Sequence, residues 1–565
     1  MSLEYEPRHA PPRQRQLWLG LILLCAMATG VVHSHLWGPD ETREAEIARE
    51  TLTDHHWVTP HLCGLSFLEK PPLYYDLVAL AFTATKTISP TVARCVSTLL
   101  GLAMLLAVFI FAYRWGGPRR AWLSTFMLLC MPKFFMYSHW ILLDIAVGAF
   151  CTMALTLLAF LLFWSSDAKR RDYLLYLFYF TCALAFMSKG VIGLFHIVVI
   201  VLPFCLLTRN EWLMRQLARP LPLLLFILPV GTWILLYYRE GGIGYLHEHF
   251  INNTIGRFLH VHFQLANVHF YHTDVGTGEP WFFYIARAFS MFGLALLALP
   301  FAIHEGIRGL RARLMSKDPP AQSEADVPLF LILWTLVPGI LLSFSSIKET
   351  SYILPSYSAV ALLVGAWLDR KLPQNENDPW KGVGWLWIIM PISVCSLGAF
   401  KMSPRGFMLT SLITLAALFV IFIIQLFRRG IAPSIYLAMA IVLGAIVFTY
   451  TPNRVLQTHR CYCPMVPVIW AQVGDAPLYL YKPNDTVRGT FSFFLKRVTP
   501  EIDRPADLLT LVSSKRKCFI LMKHSAFESV CTDLNVKRHL VRIPLPDFRS
   551  IVNDDKESYI LATNI

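Results

Sequence analysis

Long apolar runs, separated by short charged loops, constrain this chain more than any other feature of its sequence. Hydrophobic residues make up 55% of its 565 residues and charged residues only 15%. The mean hydropathy of +0.50 is too high for a soluble multidomain protein. A helix needs about 20 apolar residues to cross ~30 Å of hydrocarbon. The sequence therefore predicts an all-α polytopic membrane protein.

Thirteen runs are long enough to cross. They lie near residues 17–36, 92–113, 119–137, 140–164, 173–188, 190–207, 219–238, 281–303, 328–346, 351–368, 380–399, 406–427 and 431–450. The first follows a basic tail, lacks a convincing small-residue cleavage site and is continued by further runs. We interpret it as an uncleaved first helix rather than a removable signal peptide.

A shorter run at 72–88 contains Asp76, and the basic loops decide whether it crosses. If it lies on the outer face, every basic loop falls on one side, as the positive-inside rule requires. These loops contain Arg13, Arg119, Arg170, Arg215, Arg311, Arg370 and Arg428. This topology accounts for much of the net charge of +13. No nucleic acid partner is therefore predicted.

The chain divides into a predicted membrane domain, residues 1–450, and an external segment, residues 451–565. The membrane domain has two outer loops, at 37–91 and 239–280. Short apolar runs alternate with turns in the external segment, which predicts a small α/β or α+β domain. A disulfide is permitted among its cysteines, with Cys518 and Cys531 the favoured pair beside Cys461 and Cys463.

The first outer loop begins with a strongly helix-forming stretch that starts at Asp40. Helical spacing places Asp40, Arg43, Glu44 and Ile47 along one stripe. A carboxylate at a helix start is stabilised by the helix dipole and stays ionised, as a base must. A solvated surface helix with a capping aspartate is the alternative.

Other charged residues occur at the predicted outer ends of spans. Glu69 and Lys70 precede a rigid Pro-Pro turn, and Asp144 lies within the first turns of a span, where an acid is costly. Lys189 and Lys348 follow two further spans. Interface snorkelling explains any one lysine, but their shared face favours an anionic lipid phosphate as ligand.

The second outer loop contains four histidines, His260, His262, His269 and His272. Their spacing matches no recognised zinc site, and they lack a cysteine or acidic partner at a fixed offset. No cofactor is therefore predicted, although a divalent metal stays an open alternative. Arg257 is the better candidate in this loop, as a phosphate or sugar contact.

Taken in order, these residues resemble bacterial members of the dolichyl-phosphate-mannose protein mannosyltransferase superfamily, which have the GT-C fold. The resemblance covers roughly residues 15–370 and is strongest to the branch that transfers aminoarabinose to lipid A. Its motifs are Asp40-Glu41-Thr42-Arg43, Phe67-Leu68-Glu69-Lys70-Pro71-Pro72-Leu73-Tyr74-Tyr75, Asp144, Ser188-Lys189-Gly190, Gly256-Arg257-Phe258, and Lys348 with Tyr352-Ile353-Leu354-Pro355.

The resemblance implies a glycosyltransferase at the outer, periplasmic face of a bacterial inner membrane. Such an enzyme transfers sugar from a polyprenyl-phosphate donor to a lipid A-like or protein acceptor by inverting displacement. It implies that Asp40 is catalytic and that Glu69 and Asp144 line the same cavity. The donor and its phosphate would be bound by Arg43, Lys70, Tyr74, Lys189, Arg257, Lys348 and Tyr352.

A lipid or ion-coupled transporter is the alternative function, because Asp144 and the outer lysines could serve a transport path. A transporter predicts paired repeats, interrupted helices and acids spread through the membrane depth. Here the charges cluster at one face. That distribution favours the enzyme.

The topology makes the first testable prediction. A cysteine probe in the loop at 116 should resist a membrane-impermeant thiol reagent added from outside, whereas probes placed after residue 451 should react. The reagent would be applied to intact spheroplasts of single-cysteine variants. Labelling at 116 would mean that the 72–88 run crosses the membrane.

Overall fold

The structure, a computed structural model, describes residues 13–29, 31–32, 35–256, 278–314, 324–371, 461–514, 516–533, 540–543 and 559–564. Helices dominate these ranges. The predicted spans at 380–399, 406–427 and 431–450 lie outside the described residues.

The helices up to residue 371 follow one another with few strands. They are α1 (Arg13–Ala28), α2 (Gly38–Thr53), α3 (Leu73–Thr85), α4 (Pro90–Leu129), α5 (Pro132–Tyr137), α6 (Asp144–Ala159), α7 (Ala168–Lys189), α8 (Val191–Thr208), α9 (Glu211–Leu217), α10 (Pro220–Leu246), α11 (Phe283–Phe292), α12 (Ala295–Leu314), α13 (Val327–Leu342) and α14 (Leu354–Lys371). A short antiparallel hairpin, β1 (His61–Leu62) and β2 (Leu65–Ser66), lies between α2 and α3.

Five helical segments of the described part are long and apolar enough to cross a membrane. Counting the pair α11 and α12 as one span, bent by 109°, gives a sixth. These segments make the chain a multi-pass membrane protein.

Two predicted spans, 92–113 and 119–137, are joined in α4 by a kink. Gly116 and Gly117 have non-helical backbone angles, and Gly117 has a φ of 80°, which glycine adopts without steric cost. The second of these spans ends at Leu129 instead of 137, because Pro132 starts the separate helix α5.

The predicted outer loop at 239–280 contains helical segments in its described part, and its predicted start lies near a kink in α10 at Gly242. α10 reaches Leu246, and a π-helical segment continues from His247 to Gly256. Packing explains the extension: the Phe250 ring lies 6.5 Å from that of Phe186 and 6.4 Å from that of Trp233. Gly242, with a φ of +65°, still breaks the helix close to the predicted end of the span at residue 238, and the chain resumes a helical course beyond this break.

The apolar run at 72–88 forms α3, which has only 13 residues. At 1.5 Å per residue it is about 20 Å long, shorter than the hydrocarbon core of a bilayer. It packs against α2, α4 and α7, with Tyr75 and Val78 fully buried. The length agrees with a helix on the outer face, and its side of the membrane stays a prediction.

The centre of the membrane part is built by α4, α6 and α14. A Cβ at Gly365 of α14 would lie 2.1 Å from Ser124 Oγ of α4, so the two backbones meet closely only because this residue is glycine. Between α6 and α14, the hydroxyls of Thr152 and Ser358 form a 2.9 Å hydrogen bond. Small residues therefore set the spacing of these helices.

A fully buried ion pair joins α2 to α4. Glu41 Oε2 lies 2.8 Å from Arg94 Nη2, and both side chains have no exposed surface. The Glu41 carboxylate also accepts hydrogen bonds from the backbone N–H groups of Trp37 and Ile141. Arg94 donates a further bond to the His35 carbonyl. These bonds compensate the desolvation of both charges.

The described residues after 460 form a mixed five-stranded sheet with helices. Its elements are α15 (Met465–Val473), β3 (Leu478–Tyr481), α16 (Asp485–Leu495), β4 (Glu501–Ile502), α17 (Pro505–Val512), β5 (Phe519–Lys523), α18 (His524–Asp533), β6 (Val541–Ile543) and β7 (Tyr559–Thr563). The strand order is β4-β3-β5-β7-β6, with β3 parallel to β4 and β5, and β7 antiparallel to both of its neighbours.

Strand alternation gives this sheet two apolar faces. Phe519 and Leu521 of β5 pack in one cluster with α15 and α16, whereas Ile520 and Met522 pack in the other. Cys518 is a free, buried thiol. Cys518 therefore does not take part in the favoured disulfide with Cys531 in this structure, which corrects that prediction.

We expect Glu41→Gln to destabilise the protein, because Arg94 would remain buried without a carboxylate. Removing one partner of a buried pair costs roughly 3–5 kcal/mol, which should lower the thermal midpoint of the detergent-solubilised chain. Glu211→Gln is the matched control, since Glu211 and Arg215 pair with about 80% of each side chain exposed. Equal midpoints for both variants would contradict the role given to Glu41.

Candidate functional site

The N-terminus of α2 presents a carboxylate to solvent beside a buried guanidinium. Pro39 lies in the first turn, where its missing N–H costs nothing. Arg43 Nη2 donates to Asp40 Oδ1 at 2.9 Å and to Glu44 Oε1 at 3.0 Å. The Asp40 side chain is 44% exposed and that of Glu44 only 1%. Asp40 is therefore the accessible carboxylate of this group.

The charges of this group stabilise one another. Burial opposes the charged form of Arg43, but the carboxylates of Glu44, Asp40 and Glu69 outweigh it and raise its pKa well above the ordinary value. Burial also raises the pKa of Glu44, and the neighbouring Arg43 opposes that shift. The guanidinium thus stays a fixed cation beside Asp40.

The loop before α3 brings Glu69 and Lys70 to the same region. Lys70 Nζ lies 3.8 Å from Glu69 Oε2, and both side chains are largely buried. His249 fixes the loop by donating from Nδ1 to the Leu68 carbonyl at 2.9 Å. The predicted pair therefore lies beside Arg43, whose charge Glu69 stabilises.

The ends of two helices supply the second ion pair. Asp144 is the first residue of α6 and Lys189 the last of α7, and Lys189 Nζ lies 2.5 Å from Asp144 Oδ1. Lys189 Nζ also lies 4.6 Å from the ring centroid of Tyr352, a cation–π distance. The structure thus brings together Asp144, Lys189 and Tyr352, although Asp144 and Tyr352 are more than 200 positions apart in the sequence.

His249 is a residue that the sequence interpretation missed. Gly190 adopts a φ of +69°, and a Cβ there would lie 3.4 Å from His249 Nε2 and 3.8 Å from Pro71. The end of α7, the loop of Lys70 and the segment after α10 therefore meet at Gly190. The polar run at 247–249 could have indicated this residue in the sequence. Polar residues are common in loops, however, and this run falls in the predicted outer loop.

Glu349 is the second missed residue. It lies in the loop between α13 and α14, where its carbonyl accepts from the Tyr352 N–H at 3.1 Å. Desolvation raises the pKa of Glu349, and the negative charges of Asp40 and Asp144 raise it further. Its carboxylate therefore belongs to the same charged region as Asp40 and Asp144. In the sequence, its position next to Lys348 could have indicated this residue.

Two predicted binding residues have their polar atoms engaged inside the protein. Tyr74 is fully buried, and its hydroxyl lies 2.7 Å from Ser97 Oγ. Lys348 is 4% exposed, and its ammonium donates to the carbonyls of Glu279 and Ser345. The structure therefore assigns both side chains structural bonds rather than an open face. The predicted Arg257 lies outside the described residues.

No metal centre is formed by the described residues: no group of three or more His, Cys, Asp or Glu side chains among them could hold an ion. The predicted histidines at 260–272 lie outside the described residues. The described side chains offer acid–base and electrostatic groups. Asp40 can accept a proton, and three cations, Arg43, Lys70 and Lys189, can stabilise an anion.

Sequence comparison relates the N-terminal part of the chain to a glycosyltransferase family. The family described as dolichyl-phosphate-mannose-protein mannosyltransferase matches residues 15–239. This range includes Asp40, Asp144 and Lys189.

Two curated relatives are both named undecaprenyl phosphate-alpha-4-amino-4-deoxy-L-arabinose arabinosyl transferase. The protein from Pseudomonas savastanoi pv. phaseolicola is 29% identical over 373 residues, which are 65% of this chain and 64% of the relative. The protein from Aeromonas hydrophila is 27% identical over 62% of this chain and 59% of the relative. The chain thus matches less than two thirds of the length of either relative.

Structural comparison extends the resemblance to nearly the whole chain. ArnT from Cupriavidus metallidurans, solved bound to undecaprenyl phosphate, superposes with a TM-score of 0.73 at 18% identity, covering 98% of this chain and 99% of ArnT. Its apo structure gives a TM-score of 0.72. The chain therefore has the GT-C fold of ArnT and is similar in sequence to the aminoarabinose transferases, which confirms the resemblance drawn from its motifs.

Proposed function

We propose that this chain is an integral membrane glycosyltransferase that uses a polyprenyl-phosphate sugar as its donor. One observation carries the proposal: the exposed carboxylate of Asp40 is held by Arg43 in the same charged region as the Asp144–Lys189 pair. A base and a cationic clamp are what transfer from a phosphate leaving group needs. The similarity to the arabinosyl transferases supports this assignment.

The proposed reaction is a single inverting displacement at the anomeric carbon. An acceptor hydroxyl attacks this carbon, and Asp40 removes the hydroxyl proton as the new C–O bond forms. The bond to the donor phosphate breaks at the same time, and its electron pair leaves with the phosphate. Arg43, Lys70 and Lys189 stabilise that departing charge, so no general acid is required.

The names of the relatives suggest the donor, and the family resemblance of the motifs suggests the acceptor. We propose an aminodeoxypentose on undecaprenyl phosphate as donor and a lipid A-like molecule as acceptor, with a protein acceptor as the alternative. The membrane domain would span residues 1–450, and the segment 451–565 would lie with the site on the periplasmic side of the inner membrane. Glu69 and Tyr352 would line the donor site.

The catalytic role of Asp40 is tested by Asp40→Asn. The amide fills the same volume but cannot accept the acceptor proton, so transfer should fall on the order of 10² to 10⁴-fold. The measurement is the glycolipid profile of cells lacking the chain, complemented with either form and analysed by mass spectrometry. The unaltered chain should restore one sugar on one acceptor, and the variant should not.

Asp167→Asn is a suitable control, because Asp167 caps the start of α7, whereas the site residue Lys189 is at the other end of this 22-residue helix. Restoration by Asp40→Asn at the level of the control would remove Asp40 from the catalytic role. A profile that does not change when the chain is absent would instead contradict the proposed function itself.

If Arg43, Lys70 and Lys189 bind the donor phosphate, alanine substitutions at Lys70, Lys189 and Lys348 should have different effects. Lys70→Ala and Lys189→Ala should each weaken binding of undecaprenyl phosphate by about 1.5 to 3 kcal/mol, because each removes a charge-assisted hydrogen bond. Lys348→Ala should chiefly lower the thermal midpoint, since its ammonium bonds two backbone carbonyls. Thermal shift assays of the purified variants, with and without the lipid, measure both effects.

Lysine-to-arginine changes at 70 and 189 should rescue binding only partly, because a planar guanidinium does not replace a compact ammonium. Undiminished lipid binding by both alanine variants would contradict the clamp. Lys348→Ala could instead weaken lipid binding as much as Lys189→Ala does, without lowering the thermal midpoint. That result would mean that Lys348 also binds the phosphate.

A further inference from the structure

The segment after residue 460 contacts the helix of Asp40 and the segments on both sides of it at three places. Before α2, Cys463 Sγ accepts a hydrogen bond from the Leu36 N–H at 3.4 Å. At the first turns of α2, the Thr42 hydroxyl lies 3.5 Å from the Asp485 carbonyl. After α2, Cys63 Sγ lies 3.2 Å from Ser492 Oγ. The sheet unit thus holds α2 before its start, along its first turns and beyond its end.

The closest of these contacts depends on Gly489 of α16. A Cβ at this position would lie 2.4 Å from the backbone carbon and oxygen of Thr42 and 2.9 Å from the Arg43 nitrogen. These atoms are backbone and cannot turn aside as a flexible side chain can. Any larger residue at 489 must therefore displace α16 from the part of α2 that carries Arg43.

A line of alternating charges runs through the same interface. Arg43 Nη1 lies 3.8 Å from Asp485 Oδ2, and Asp485 Oδ1 accepts from Arg488 at 2.7 Å. Arg488 in turn forms two hydrogen bonds to Glu501 of β4, at 2.6 and 2.7 Å. The Arg488 and Glu501 side chains are over 90% buried. The guanidinium beside Asp40 is thus connected to the edge of the sheet.

We propose that α16 is a positioning element for the transfer site, in which Gly489 sets the distance of α2 and Asp485 orients Arg43. The inference rests on the proposed function and adds two residues to it, neither of which touches the reacting atoms. Arg43 has other carboxylate partners in Asp40 and Glu44. Asp485 restrains the opposite terminal nitrogen, Nη1, and so limits rotation of the guanidinium.

The two residues should contribute unequally. Asp485 is 32% exposed and 3.8 Å from Arg43, so this pair is weak, and Asp485→Asn should reduce transfer only about threefold. Gly489→Ala moves the backbone of the catalytic helix itself. Misplacement by about 1 Å can cost on the order of 10²-fold in rate, and we expect a loss of that size.

The test uses the full-length chain purified in detergent, with undecaprenyl phosphate as the probe. Three quantities are measured: the transfer rate, the thermal midpoint without lipid, and the rise in midpoint that the lipid produces. Asp507→Asn, at an exposed aspartate of α17, is the control for Asp485→Asn. Gly231→Ala is the control for Gly489→Ala, because a Cβ at 231 meets no atom within 4 Å.

We expect Asp485→Asn and Gly489→Ala to lower both the transfer rate and the lipid-induced rise in thermal midpoint, each relative to its control. A purely structural role would lower the midpoint without lipid and leave the rise unchanged, which would overturn the proposal. Asp485→Glu should restore part of the rise, because it restores the charge. Where Gly489→Ala fails to fold, the two Asp485 variants decide alone.

The failures of the two ideas are distinguishable. The unaltered chain could transfer no sugar while the lipid-induced rise in its thermal midpoint still depends on Asp485. The proposed function would then be wrong, but Asp485 would still position Arg43. If the unaltered chain is active and Asp485→Asn equals Asp507→Asn in rate and rise, only the positioning role fails.

Discussion

The ion pair of Glu41 and Arg94 fixes the orientation on which the rest of the site depends. Glu41 points into the protein, where its carboxylate binds Arg94 and the Ile141 N–H. Successive helical residues are about 100° apart, and the neighbouring Asp40 leaves 44% of its side chain exposed. The bond to Ile141 also secures the segment that leads to Asp144 at the start of α6. One carboxylate thereby orients both acids of the site.

Internal ion pairs and hydrogen bonds also explain why α2 can be highly charged and yet buried. Glu46 and Arg49 form a bidentate pair with almost no exposed surface, and Glu50 accepts from the N–H groups of Cys63 and Gly64 in the hairpin. Each buried charge has partners that replace its lost hydration. The alternative of a solvated surface helix is therefore wrong for this part of α2, and the charges serve to lock its position.

The site itself is assembled where helices end. Lys189 closes α7, and the positive φ of Gly190 lets the chain turn there without steric cost. Helix termini lie near the predicted membrane surface, where water and lipid headgroups meet. A polyprenyl phosphate has its charged group at that depth. The proposed donor and the location of the cations therefore fit one another.

The sequence by itself determined the class of protein, the helical start of the first outer loop and the grouping of acids and lysines near span ends, because these follow from local composition and run length. It could not decide which way each side chain points. Lys348 turns to backbone carbonyls and Tyr74 to Ser97, while Glu349 and His249 join the charged region. Those outcomes depend on contacts between helices far apart in the chain, and only tertiary packing sets which charges must be satisfied internally and which stay free for a ligand.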